Sequence, residues 1–252
     1  LKRAQLLLAD GPNYRKADFQ AGLQALGYEL VDQIRCPRPA DVLVIWNRGS
    51  WRNTEAQRFE AAGARVIVAE NGYLGKNWIG QKWFALALGH HSGAGTWPDG
   101  GSARWDSWGA QLAPWRTDGT EVLVLEQRGI GEPGVASPRG WERDMVKRFG
   151  GRLRNHPGGA VPAVSLVDDL RNARCVVSWH SGGAMLALLM GVPAFYGFPL
   201  WIGRSAARHV SEFDAGPWVG DRLAMFRRLA WAMWAVDEVR TGVAFEKLLN
   251  SR

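Results

Sequence analysis

Ser178-Trp179-His180-Ser181-Gly182-Gly183 combines the residue types and spacing of an anion seat. A short apolar run, residues 175–178, precedes it as a strand, and an apolar helix follows as far as Gly191-Val192-Pro193. Glycines let backbone amides come close to a ligand, and a helix start presents the positive end of its dipole. Phosphate is the ligand such a strand-to-helix turn takes. His180 has two readings, a donor to a diphosphate or sugar and a satisfied core group beside Trp179. A hydrolase is disfavoured, because His180 and Ser181 are chain neighbours and the G-x-S-x-G elbow is absent.

Two further segments supply groups for a leaving diphosphate. Arg154-Asn155-His156-Pro157 offers a guanidinium and an imidazole, and Arg128-Gly129 sits in a Gly-x-Gly turn after another strand. Group transfer from a phosphorylated donor to a hydroxyl needs a stabilised leaving group, a base for the acceptor hydroxyl and in-line positioning. Asp10 and Glu70 are the candidate bases, with Asp10 preferred because Asp-Gly closes the first strand. No D-x-D motif is present, and His90-His91 lacks the spacing and companions of a zinc site. The chemistry expected is therefore metal-independent.

The acceptor side is read from polar clusters and tryptophans. Asp10 with Asn13, Asn47 with Arg48, and Glu70 with Asn71 each follow a strand, although such residues also favour turns for their own sake. Trp46, Trp51, Trp78, Trp97, Trp105, Trp108 and Trp115 lie in polar or Gly-rich sequence, where stacking on bases or sugars is a natural role. Asn13, Asn47, Arg48, Trp51, Asn71 and Trp97 are the acceptor-binding candidates.

The elements that must position these groups alternate. Strands are expected at 4–9, 41–46 and 64–69, with helices at 14–27 and 53–62 between them. This spacing indicates βαβ units and a parallel sheet, whose ligands bind beyond the carboxyl ends of the strands. Residues 74–118 break the rhythm, with a short helix expected at 78–88 and a long ordered loop after it. Alternation restarts with a strand at 121–125, a strand running into a turn over 152–158, and helices at 137–149 and 165–172. Residues 221–249 have helical apolar spacing. Two Rossmann-like βαβ halves facing a central cleft follow, an acceptor-side domain over 1–118 and a nucleotide-sugar domain over 119–252.

Composition limits the classes. The 252 residues carry a net charge of +7, with 46% hydrophobic and 22% charged residues and 14 Trp. No apolar run approaches the roughly 20 residues that span a bilayer. Neither a targeting segment nor a Cys-x-x-Cys pair is evident, so a cytoplasmic protein without membrane insertion is expected. The positive balance suits a polyanionic partner or a solubilising surface equally.

These motifs carry a resemblance. Two facing βαβ halves resemble the GT-B glycosyltransferase architecture. Arg154-Asn155-His156-Pro157 resembles the R-x-H-P segment of capsule-polysaccharide and glycerophosphate-type transferases. Ser178 through Pro193 is similar to their donor-nucleotide segment, except that Ala184-Met185-Leu186-Ala187 lacks the acidic ribose ligand common in GT-B enzymes. The Glu70-Asn71-Gly72-Tyr73 turn, the Trp/Gly loop, the Gln127-Arg128-Gly129 turn and the Trp-rich end resemble small phage-encoded DNA-modifying glycosyltransferases. The resemblance implies a hexosyltransferase with a UDP-linked donor such as UDP-glucose and no resident cofactor. Arg128, Gly129, Arg154, His156, Ser178, His180, Ser181, Gly182 and Gly183 would hold that donor. The acceptor implied is a hydroxymethylated pyrimidine in double-stranded phage DNA. A glycan or polyol-phosphate acceptor and a non-catalytic DNA-binding protein are the alternatives.

Overall fold

The computed structural model describes residues 1–49, 51–116, 118–132, 134–158 and 164–251. The chain forms two compact units, Leu1–Arg104 with Arg228–Arg252, and Trp105–Arg227.

In the first unit the central strands are runs of buried apolar residues. β1 (Lys2–Leu7) leads through a loop to α1 (Lys16–Ala25), which is followed by Gly27 at φ +79°. The short β2 (Tyr28–Leu30) adds an edge strand that the sequence reading left out. β3 (Val42–Trp46), α2 (Trp51–Ala61) and β4 (Arg65–Asn71) follow as expected. The helix expected at 78–88 is instead a hairpin of β5 (Asn77–Trp78) and β6 (Gln81–Leu88). Its turn, Ile79-Gly80, has positive φ at both residues, and the apolar run Trp83 to Leu88 is buried on every side, without a helical stripe. α3 (Ala103–Ser107) is a single short helix.

The second unit comprises β7 (Glu121–Leu125), α4 (Trp141–Phe149), β8 (Arg152–Arg154), α5 (Leu166–Asp169), β9 (Ala173–Ser178), α6 (Gly182–Leu189), β10 (Ala194–Tyr196) and β11 (Arg208–His209). α7 (Leu223–Ala230) ends at β12 (Met233–Ala235), after which α8 (Val236–Arg240) and α9 (Val243–Asn250) close the chain. The continuous helical pattern read at 221–249 is thus interrupted by a strand. Met233, Trp234 and Ala235 are all buried and pair antiparallel with β6, a tertiary requirement that overrides local periodicity.

Among the described residues the first sheet runs β12-β6-β4-β3-β1-β2, with β5 attached to β6. Its β2-β1-β3-β4 part is parallel. The second sheet runs β11-β10-β9-β7-β8 and is parallel throughout. In both, the order reverses beside the unit's first strand, between β1 and β3 and between β7 and β9. Such switch points are where open α/β sheets bind ligands.

The unit division differs from a boundary at 118/119. Residues 113–116 lie along the end of α6, through Ala113 N–H to Leu189 O (3.0 Å) and Arg116 N–H to Gly191 O (2.8 Å). The closing segment joins the first sheet rather than the second, since β12 extends it and α8 packs on α1.

Candidate functional site

At the switch point of the second sheet, three strand ends converge. Beyond β7 come Glu126 and Gln127, beyond β8 come Asn155 to Pro157, and beyond β9 come Trp179 to Ser181 before α6 starts. They surround a pocket of about 250 Å³ lined by Leu125, Glu126, residues 154–157, Leu166 and residues 181–183. Arg154, His156, Ser181, Gly182 and Gly183, chosen from sequence, therefore meet in one place. Ser178 lies fully buried beneath them and accepts from the Ser181 amide through its hydroxyl (3.3 Å). Arg128 and Gly129 are exposed on the following turn.

The helix start is built as an N-cap. Ser181 is extended, and its Oγ accepts from the Gly183 amide at 3.0 Å. A Cβ on Gly183 would sit 3.1–3.2 Å from Leu166, Leu125 and the Ser181 hydroxyl, so the helix start is closely packed beside the pocket. His180 is clasped across the switch point. Its backbone N–H donates to Gln127 Oε1 at 2.7 Å, and the Gln127 amide group donates to its Nδ1 at 3.1 Å. This leaves the ring proton on Nε2, and the ring packs edge-on to Phe198.

His156 is prepared in the same way. Its backbone N–H donates to Glu126 Oε2 (2.9 Å), while its Nδ1 accepts from the Gly158 amide (3.0 Å), which places the proton on Nε2. Burial, with Arg128 and Arg154 nearby, holds its pKa below the usual histidine value, against the pull of Glu126. The side chain is a neutral donor at pH 7 rather than a cation.

Arg154 differs from the role read for it. Its side chain is 9% exposed; Nε lies 2.8 Å from Asp169 Oδ2, and its two Nη groups donate to Asn155 O and Val164 O. Asp169 also pairs with Arg152 at 2.8 Å. Arg154 thus fastens the β8 turn to α5, and its charge reaches the pocket only as a field. Glu126, Gln127 and Asp169, the residues that orient the pocket, were not chosen from sequence. Their signal is position, directly after a strand at the switch point or opposite an arginine pair.

The first rim spends most of its chosen side chains internally. Arg48 is buried; it forks onto Glu60 (2.6 and 2.8 Å), donates Nε to Asn53 Oδ1 (2.8 Å) and so cannot face an acceptor. Trp97 is 7% exposed, bonds Arg228 O through Nε1 and is covered by the Arg228 guanidinium. It is a packing group rather than a platform. Trp105 is likewise buried, and Trp46 and Trp78 pack edge-on against neighbouring rings. Glu70 Oε2 accepts from the Tyr73 hydroxyl and the Ser92 amide, both at 2.9 Å. His90 and His91 are buried and stacked, and each Nδ1 accepts a backbone amide, from His91 and from Arg48.

Other first-rim residues stay accessible. The Asp10 side chain is 90% exposed and pairs with Lys16 at 3.2 Å. Asn13, Trp51 and Asn71 are exposed, Trp51 at 55%. Asn47 has φ +54°, and its Oδ1 is buried with no hydrogen-bond partner among the described residues. A buried, unpaired acceptor atom is costly unless a ligand supplies the donor.

No known family model matches this sequence, and neither does any curated protein. Solved structures do. The chain is similar to the beta Kdo 2,7 transferase of Thermosulfurimonas dismutans KpsC at 13% identity and TM-score 0.57, covering 98% of this chain and 100% of that one. The beta Kdo 2,4 transferase of the same protein gives 13% identity and TM-score 0.56, covering 91% and 89%. The fold is that of a two-domain, Rossmann-like GT-B glycosyltransferase. At this identity the likeness is one of fold. Among the described residues, no helix is long and apolar enough to cross a membrane.

Proposed function

We propose that the chain is a glycosyltransferase whose second unit binds a nucleotide sugar. The observation that carries this reading is the switch-point pocket, where a capped glycine helix start and a neutral His156 converge. The Gly182 amide and the Nε2–H of His156 would donate to the diphosphate, with His180 held beside them by Gln127. Arg128 on the adjoining exposed turn would balance its charge, and Arg154 would position the pocket from beneath. As the bond to the sugar breaks, negative charge grows on the leaving phosphate, and donors already in place stabilise it most. No residue in this scheme requires a metal. A UDP-linked hexose is the donor we favour.

The first unit supplies the acceptor's contacts and base. Asp10 is the proposed base, because it is accessible, whereas one oxygen of Glu70 already accepts two hydrogen bonds. Glu70 is assigned to holding the rim. The acceptor we favour is a hydroxymethylated pyrimidine in double-stranded DNA. The first unit has 17 Lys and Arg against 12 Asp and Glu, so most of the net charge lies there. Trp51 is exposed on that unit, with Arg52 over its ring. Stacking and backbone neutralisation are what DNA requires. A glycan acceptor is the second reading, favoured by neighbours that are Kdo transferases.

The test is incubation of hydroxymethylated DNA with the protein and a panel of nucleotide sugars, followed by mass analysis of the nucleosides. A nucleoside heavier by one sugar supports both donor and acceptor. Donor hydrolysis without DNA labelling retains the transferase and moves the acceptor to a glycan. Absence of binding to every sugar nucleotide would overturn the reading in favour of a DNA-binding protein.

A further inference from the structure

The β5–β6 hairpin carries a feature that the fold of the first unit leaves unexplained. Its last ladder pair with β4 is Asn71 with Phe84, so residues 76–82 project past the carboxyl end of β4, on the rim where Asn47 and Glu70 lie. Asn77–Trp78 pairs only with Gln81 and Lys82. The hairpin is nonetheless braced. Trp83 Nε1 donates to Trp78 O at 2.6 Å, the two indoles meet edge-on at 6.0 Å, and the Trp83 amide donates to Lys76 O at 2.9 Å.

At the tip is Ile79, 49% exposed and with φ +49°. A β-branched residue in the left-handed region is an outlier, and the two-residue turn with positive φ at both positions prefers Asn-Gly. The chain therefore places an apolar, conformationally strained side chain where Asn would be relaxed and soluble. Among the described residues it stays about half uncovered. Cations flank it: Lys76 is exposed, and Lys82 donates to Asn71 Oδ1 at 3.1 Å. Burial, together with the charges of Lys76 and Arg15, holds the Lys82 pKa below its ordinary value, as in a crowded basic patch.

We propose that this hairpin is a DNA-docking element, with Ile79 wedging at a base step while Lys76 and Lys82 meet phosphates. Apolar wedges flanked by basic residues unstack and kink duplexes, and this makes an otherwise paired pyrimidine easier to extrude. The inference rests on the DNA-acceptor reading and deepens it. A neutral glycan would offer the lysines no phosphate, and a polyol phosphate would offer the isoleucine no stack to enter.

The test is binding of the full chain to a fluorescent duplex containing hydroxymethylcytosine and 2-aminopurine, with wild type compared with Ile79→Asn. The substitution restores the preferred Asn-Gly turn, so the melting temperature should hold or rise. DNA affinity should nevertheless fall by about tenfold or more, and the 2-aminopurine brightening seen with wild type should disappear. Lys82→Gln should weaken binding and flatten its salt dependence by about one phosphate contact. If Ile79→Asn binds and brightens like wild type, the wedge is wrong and the DNA reading stands. If wild type binds without brightening, the wedge is also wrong. If wild type does not bind duplex DNA at all, the DNA acceptor itself falls, and the wedge with it.

Discussion

The rims of the two sheets were read from sequence by the same rule, and they use their polar residues differently. In the second unit, residues chosen from two separate segments, Arg154 with His156 and Ser181 to Gly183, line one pocket. In the first, Arg48 and Glu70 are tied to Glu60 and to the Tyr73–Ser92 turn, while Asp10, Asn13, Trp51 and Asn71 stay accessible. The difference follows from the ligand task. A seat for a compact diphosphate has to be preorganised by short backbone turns, which leave a sequence pattern of Gly, Ser and His. An acceptor surface is contacted by side chains scattered over loops, and sequence alone does not separate them from side chains that hold the loops together.

The sharpest way to break this comparison is at the bases. Asp10→Asn should lower turnover by ~10²–10⁴-fold with the melting temperature unchanged, as expected for loss of a general base. Glu70→Gln should keep most of the turnover and lower the melting temperature, because it weakens the acceptor for Tyr73 and Ser92. Burial and the neighbouring Glu70 hold the Tyr73 hydroxyl pKa well above its ordinary value, so Tyr73 remains the donor in that bond throughout the accessible pH range. If Glu70→Gln were the dead enzyme and stayed fully stable, the two carboxylates would exchange roles.

Next come the buried arginines. Arg154→Ala should destabilise the protein by about 3 kcal/mol, since removing one partner leaves an under-compensated charge in a buried pair. Arg48→Ala should cost less, about 1 kcal/mol, because the Glu60 side chain is 37% exposed and solvent screens it. Chemical denaturation measures both. Neither change should alter donor or acceptor affinity as much as stability. Arg128→Ala reverses that pattern: stability should hold while nucleotide-sugar affinity, measured calorimetrically, drops about tenfold, the scale of one charge-assisted hydrogen bond.

These contrasts mark what the sequence conveyed. The βαβ rhythm was legible because buried parallel strands such as Val42–Trp46 and Ala173–Ser178 are short apolar runs bounded by turn residues. The β5–β6 hairpin and β12 were not. The hairpin turns on Ile79-Gly80 instead of the Asn-Gly that marks such turns, and β12 is a short apolar run whose antiparallel partner lies far along the chain, Met233–Ala235 against Trp83–Ala85. The seat at Ser181–Gly183 was legible for the same local reason as the strands. The clasp of Gln127 on His180 was not, because it joins residues 53 positions apart.

The smallest expected effect separates the two rims by pH. His156 has a folded pKa held below the 6.5 of an unfolded histidine, chiefly by burial and then by Arg128 and Arg154. The unfolded chain therefore binds this proton first as pH falls, so the stability associated with His156 is fully present above about 6.5 and is lost as pH falls toward the folded pKa. His156→Gln keeps a side-chain amide for the Gly158 contact and removes the titration. Denaturant midpoints taken from pH 7.5 to pH 5 should therefore drop less for His156→Gln than for wild type. Asp10→Asn, on the first rim, is measured alongside as the control variant that keeps His156 intact. Identical slopes for wild type and His156→Gln would mean that the imidazole is solvated as it is in the unfolded chain. In that case the pocket would lack the dry, preorganised donor on which the contrast between the rims depends.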